Sequence, residues 1–372
     1  MNRTPILMRG DAACGRSRQR GINLIELMIA MVLGLLVVGG AVSIFVANQH
    51  TTAVTESLGR IQENTRTAFE LMARELREAG GNPCGKNLPF PANVLNNPTS
   101  AWWSNWGNGS GLQGFDDAQV LTAPTPPAAG LGARIPGTDA VDILSAAGSG
   151  ISVQWPGAAG AGAAAPPAGP PAAALFTNTN NHGFQPGDIL LVCDLSRAAI
   201  FQMTAPAAPP GTNNTIVHGP GGPFAPGNCT QGLGSPVRCS GPPNVWAFGQ
   251  NSNIARLAAS RWYIGNTARL LSTNGGAATG RALFRATVRQ GVLTSEEVAE
   301  GVTNMQITYL LRGANAYVPA TAVPAAQWGD VTAINITLAL AGQVQNQNRI
   351  STTGNDLQRQ VNYVVNLRNR SI

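Results

Sequence analysis

Few residues of this 372-residue chain have the types and spacing that catalysis needs. Its three histidines, His50, His182 and His218, stand far apart, and none has the spacing of a metal ligand. No Gly-x-Ser-x-Gly elbow for a nucleophile is present. The run Gly107-Asn108-Gly109-Ser110-Gly111 lacks the lysine of a phosphate-binding loop. Asp116-Asp117 is an acidic pair without the alternating oxygen ligands of a calcium loop. The sequence therefore predicts no catalytic site, no cofactor and no metal: the protein is not expected to be an enzyme.

One carboxylate is out of place. Glu26 directly precedes Leu27–Ala47, 21 residues without a charge. A helix of that length spans about 31 Å, the thickness of a bilayer core. An ionisable group at the edge of such a segment is expensive and is a functional candidate by default. Residues 1–21 carry five arginines and one aspartate, so the rest of the chain holds only +2 of the net charge of +6. The arginines precede the apolar run, which predicts a cytoplasmic N-terminus and an exported remainder. The nearly neutral body offers no broad basic surface, and no nucleic-acid partner is expected. An apolar run of this length exceeds that of a cleaved secretory signal. A plain membrane anchor is the simpler alternative.

The string Gly21-Ile22-Asn23-Leu24-Ile25-Glu26-Leu27-Met28 resembles the class III signal of type IV prepilins and pseudopilins. The resemblance implies cleavage by a prepilin peptidase between Gly21 and Ile22 and N-methylation of Ile22. It leaves residues 1–21 as a leader and 22–47 as the transmembrane and polymerisation helix. Glu26 then neutralises the new ammonium among apolar helices and sets subunit register, because an unpaired buried ion would cost several kcal/mol.

The helix is expected to continue as an amphipathic stretch over 48–80. Val54, Leu58, Ile61, Thr65, Ala68, Leu71, Met72 and Leu76 recur at three- and four-residue steps. Glu70 and Arg74 are spaced for an i,i+4 pair. Gly80-Gly81-Asn82-Pro83 should end the helix. Beyond it, over 81–372, short β-rich runs alternate with Gly/Pro/Asn loops. Strands are expected at 140–145, 151–155, 188–194, 199–204, 261–264, 282–290, 305–312, 331–341 and 361–368. The stretches 157–174 and 213–243 are expected to be flexible loops. The fold class is α+β: one long helix packed on an antiparallel sheet.

Cys14 falls in the leader. Four cysteines remain, and in an exported chain they suggest two disulfides among three possible connectivities. Cys229–Cys239 would close a short loop, and Cys84–Cys193 would tie the helix end to a strand. A four-thiolate zinc site is the rival, although it lacks C-x-x-C spacing, and free thiols are the other alternative. Trp102, Trp103 and Trp106 either cover the core or dock a partner; partner contact is the functional expectation.

Several segments sharpen the likeness. Gly137–Leu144, Gly187–Asp194 with Ala199–Thr204, Val298–Tyr309, Asp330–Ile334 and Val365–Arg370 are similar to PilW-like minor type IV pilins. This implies a minor pilin that joins other minor pilins and the major pilin to prime pilus assembly, near the tip, with a tip adhesin as a further partner. The head would lie in the periplasm behind an inner-membrane anchor and then on the extracellular pilus. A type II secretion pseudopilin is the alternative within the superfamily; a membrane-anchored binding module is the remote one.

Overall fold

The computed structural model describes residues 23–85, 91–106, 110–117, 119–154, 173–204, 214–273, 276–341 and 358–370. The described residues form one α-helix, α1 (Leu24–Glu78), fourteen strands and two short 3-10 helices, Ala320–Ala322 and Ala325–Asp330. The strands are β1 (Ala92–Asn93), β2 (Leu112–Phe115), β3 (Ala140–Ser152), β4 (Ala174–Phe176), β5 (Ile189–Cys193), β6 (Ala198–Gln202) and β7 (Thr215–Val217). They continue with β8 (Asn253–Thr273), β9 (Gly276–Arg289), β10 (Val292–Glu300), β11 (Val302–Leu311), β12 (Tyr317–Val318), β13 (Val331–Ala341) and β14 (Gln358–Asn366).

The chain divides into two units, Met1–Thr55 and Glu56–Ile372. In the first, the described residues form the start of α1. Its segment Leu24–Gln49 is 26 residues long and apolar enough to cross a membrane.

The second unit is built on two sheets. The larger orders its strands β1-β6-β5-β8-β3-β2, with β9 on the far half of β8 and β10 on β9. β1 and β6 run parallel; the other pairs in this sheet are antiparallel. The smaller sheet runs β12-β11-β13-β14 and is antiparallel throughout. β4 and β7 form a separate ribbon. The fold is thus α+β, with an N-terminal apolar helix and an antiparallel β head.

Most of the expected strands are present, but several are longer, and those expected at 140–145 and 151–155 are the single strand β3, with residue 155 outside the described residues. β8 extends well beyond 261–264, and β10 lies where no strand was expected. Both sheets bury one face against the second half of α1. Ala68, Met72, Leu76 and Ala79 share a core with Val141 and Ile143 of β3, Trp262 of β8 and Ile336 of β13. The apolar stripe differs from the expected one in two places. Leu58 and Leu71 are exposed, whereas Ala73 and Ala79 are buried. Small side chains on that face let the sheets approach the helix, so bulk alone misidentified the stripe. The charge pairing also differs: Glu70 pairs with Arg66, and Arg74 faces Glu78. α1 ends as expected, with Gly80 at φ +69° and Gly81 N donating to Glu78 O.

Much of 213–243 is built structure. It contains β7, and the Cys229 amide donates to Val94 O. Its Asn228 side chain accepts from the Gln202 amide and donates to Gln202 O. Residues 155–172, which hold most of the Gly157–Ala174 stretch, lie outside the described residues.

Candidate functional site

The first half of α1 is the segment whose chemistry is least like a soluble domain. Leu24, Leu35 and Val37 are each more than 70% exposed, and the apolar residues between them are exposed among the described residues. Four hydroxyls along the helix bond to its own carbonyls. Ser43 Oγ donates to Gly39 O, Thr51 Oγ1 to Ala47 O, Thr52 Oγ1 to Asn48 O and Thr55 Oγ1 to Thr51 O, all at 2.9–3.0 Å. Such i−4 bonds let hydroxyls enter an apolar medium without stranded donors. Glu26 lies in the first turn of α1. A carboxylate there also complements the positive end of the helix dipole. Gly21 and Ile22 lie outside the described residues.

The second half of α1 is seated on the head through one carboxylate. Glu75 Oε2 accepts from Ser260 Oγ at 2.6 Å and from Trp262 Nε1 at 2.7 Å, both on β8. Its other oxygen pairs with Arg285 of β9, which reaches on to Glu296 at 3.3 Å. Sequence reasoning missed Glu75. The available signal was an acid flanked by Met72, Leu76 and Ala79 on the buried side of an amphipathic helix.

A second missed pair lies deeper. Arg261 Nε and Nη2 donate to Asp142 Oδ1 and Oδ2 at 2.5 and 2.7 Å, a bidentate contact between β8 and β3. Both side chains are at most 3% exposed. Arg261 Nη1 also donates to Thr122 O and Pro124 O. Burial pushes the Asp142 carboxyl up, opposed by the Arg261 hydrogen bonds and charge. Geometry of this quality is what a buried ion pair needs to offset its desolvation.

This arrangement also places the tryptophans. Trp102 and Trp103 are 3% and 9% exposed, packed with Ile200 and Ala255, and Arg261 lies 4.7 Å from the Trp102 ring. Trp106 is half-buried and donates Nε1 to Trp103 O. Trp102 and Trp103 thus lie in the head's core and Trp106 packs against it, the first of the two readings.

Cys84 is bonded to Cys193, and Cys229 to Cys239. The first bridge joins the turn after α1 to the end of β5; the second closes a short loop. His182 Nδ1 accepts from the Phe184 amide, and burial and Arg256 lower its pKa. His218 is buried, which lowers its pKa to about 4. Asp116 accepts from the Ala320 and Thr321 amides and caps the 3-10 turn Ala320–Ala322. Among the described residues, no three His, Cys, Asp or Glu side chains gather as a metal site would require.

The comparisons with known proteins agree with this geometry. Neither a curated protein nor a solved structure matches the chain. Two families do. Residues 16–42 match the prokaryotic N-terminal methylation motif. Residues 270–369, which hold the end of β8 and all of β9 to β14, match the family described as Type IV Pilus-assembly protein W. The signal at one end and the sheet at the other match those of a PilW-like type IV pilin with a class III signal.

Proposed function

We propose that this protein is a minor pilin that primes type IV pilus assembly and is incorporated at or near the tip. The observation that carries the reading is the exposed apolar segment Leu24–Gln49 with Glu26 in its first turn. Prepilin peptidase cleaves between Gly21 and Ile22, and the new N-terminus is methylated. The segment anchors the protein in the inner membrane with the head in the periplasm. On assembly, neighbouring pilin helices replace lipid around it, and Glu26 neutralises an N-terminal ammonium. The long excursions of the head, among them 214–243, favour a low-copy position, because repeated packing along a shaft would have to accommodate them. Other minor pilins, the major pilin and a tip adhesin are the proposed partners.

The test is mass spectrometry of the mature N-terminus from cells with and without the peptidase. A peptide beginning at methylated Ile22, lost without the peptidase, is expected. An intact N-terminus in both strains would make the protein an ordinary signal-anchored one and remove the proposed role of Glu26.

A further inference from the structure

The two disulfides stand in opposite surroundings. Cys193 is fully buried at the end of β5, between Ala198 of β6 and Asn253 of β8, and the half-buried Cys84 packs on the same core. Cys239 is exposed and Cys229 half-buried. The Cys229 end of the second bridge is anchored. Its amide donates to Val94 O, and the neighbouring Asn228 side chain is bonded to Gln202. The Cys239 end has no such anchor: among the described residues, 237–243 make no hydrogen bond and no ion pair. The bonds resume at Asn244. Gly234 N donates to Asn244 O at 2.9 Å, and Asn244 Nδ2 donates to Pro236 O at 2.6 Å. Trp246 follows, with its Nε1 donating to Asp194 Oδ2 and Arg197 over its ring. Apart from the packing of Val237 on the core and of Pro243 beside Gly232, the disulfide is what holds 237–243 to the head.

We propose that Cys229–Cys239 is a thiol-exchange site, opened in the folded head by a dithiol reductant. One thiolate of the dithiol attacks the sulfur of the exposed Cys239, forms a mixed disulfide there and expels the Cys229 thiolate, which takes up a proton. The second thiol of the reductant attacks the mixed disulfide, closes the reductant's own disulfide and releases the Cys239 thiol. Two electrons pass from the dithiol to the cystine, and the two thiol protons end on Cys229 and Cys239. The structural consequence is local. Residues 237–243 come free, while the Asn244 bonds and the Trp246 contacts hold the base of the loop. At Cys84–Cys193 the same nucleophile meets one residue buried in the sheet and one half covered by the core. Exchange there has to wait for local opening of the head.

The full chain in detergent is incubated with dithiothreitol, and free thiols are trapped over time with iodoacetamide and located by peptide mass spectrometry. Cys229 and Cys239 should be labelled together, at least about tenfold faster than Cys84 and Cys193, whose exchange needs an opening step. Trypsin reads the release of the loop through Arg238, which is exposed within it. Cleavage after Arg238 should accelerate on reduction, to the rate shown without reductant by the Cys229→Ser, Cys239→Ser variant. Cleavage after the buried Arg261 should stay absent, and the near-ultraviolet circular dichroism of the head should be unchanged. Labelling of Cys84 and Cys193 as fast as the other pair, or no labelling of Cys229 and Cys239, would overturn the proposal. So would unchanged cleavage after Arg238, which would mean that packing alone holds the loop. Loss of the circular dichroism signal together with labelling would also overturn it, because exchange would then follow unfolding of the head.

Discussion

Trp262 Nε1 donates to Glu75 Oε2 at 2.7 Å, so the largest buried side chain of β8 is hydrogen-bonded directly to the helix that crosses it. The same oxygen takes the Ser260 hydroxyl, and the partner oxygen takes Arg285. Glu75→Ala would strand an indole N–H and remove a partner from a half-buried guanidinium. A loss of about 2–4 kcal/mol is expected. Glu75→Gln keeps one acceptor and should cost about half as much. Denaturant unfolding of the full chain, followed by tryptophan fluorescence, measures both. Equal losses in the two variants would mean that packing, not the carboxylate, seats the helix.

The two disulfides should contribute unequally. Cys84–Cys193 closes a separation of 109 residues and Cys229–Cys239 one of 10. Loop-closure entropy puts these at about 5 and about 3 kcal/mol. Paired serine substitutions at each bridge, compared by denaturant midpoint, should rank them in that order. The Cys84–Cys193 variant should also loosen the turn after α1, raising amide exchange around Gly81–Cys84 while the β11–β13 amides stay protected.

What the sequence makes legible depends on whether a pattern is local. The apolar start of α1 is legible because 21 uncharged residues have one physical solution. β5 is legible because burial on both faces leaves an apolar run, and β13 because Ile334, Ile336, Leu338 and Leu340 alternate with less buried residues. β8 is legible only in its middle, because Arg256, Arg261 and Asn266 interrupt its apolar pattern. Arg261 is tolerated there because Asp142, 119 residues away, meets it across the strand pair. β10 reads Val-Leu-Thr-Ser-Glu-Glu-Val-Ala-Glu and is largely exposed, so no alternation marks it. The tryptophans show a further limit: composition cannot distinguish an aromatic cluster that lies beneath a loop from one presented to a partner.

Two buried groups should give the head opposing pH responses. Burial of the Asp139 carboxyl, opposed by its hydrogen bond from the Ile307 amide, raises its pKa from 3.8 to about 6. The folded state therefore holds that proton more tightly, and its contribution is lost as pH rises from about 4 to 6. Burial lowers His218 from 6.5 to about 4, so the folded state prefers neutral imidazole. That contribution is lost as pH falls from about 6.5 to 4. In wild type the two slopes partly cancel. Asp139→Asn should leave a steeper loss of stability on acidification, and His218→Gln should reverse the slope. Denaturant midpoints at about pH 4.5 and 6.5 measure both. Unchanged slopes in both variants would show that neither group governs the acid response.

The Tyr309 hydroxyl is fully buried and has no hydrogen-bond partner among the described residues. Burial pushes its phenol well above the ordinary value. The ring meets Trp328 edge-on at 4.9 Å, and below it β2 approaches through Gly114, where an added Cβ would collide with the Tyr309 hydroxyl and touch Trp328. The glycine is required here by the space that the Tyr309 hydroxyl, its ring carbon and Trp328 occupy, not by backbone angle. Removing the oxygen abolishes a desolvated polar group, so Tyr309→Phe should be neutral or stabilise by up to about 1 kcal/mol. Gly114→Ala should cost about 1–3 kcal/mol through overpacking. The double variant should recover part of that loss, because the new methyl then meets a ring hydrogen in place of the oxygen. A coupling of at least about 0.5 kcal/mol in the double-mutant cycle is expected. Strict additivity would mean that Trp328, and not the hydroxyl, excludes a side chain at position 114.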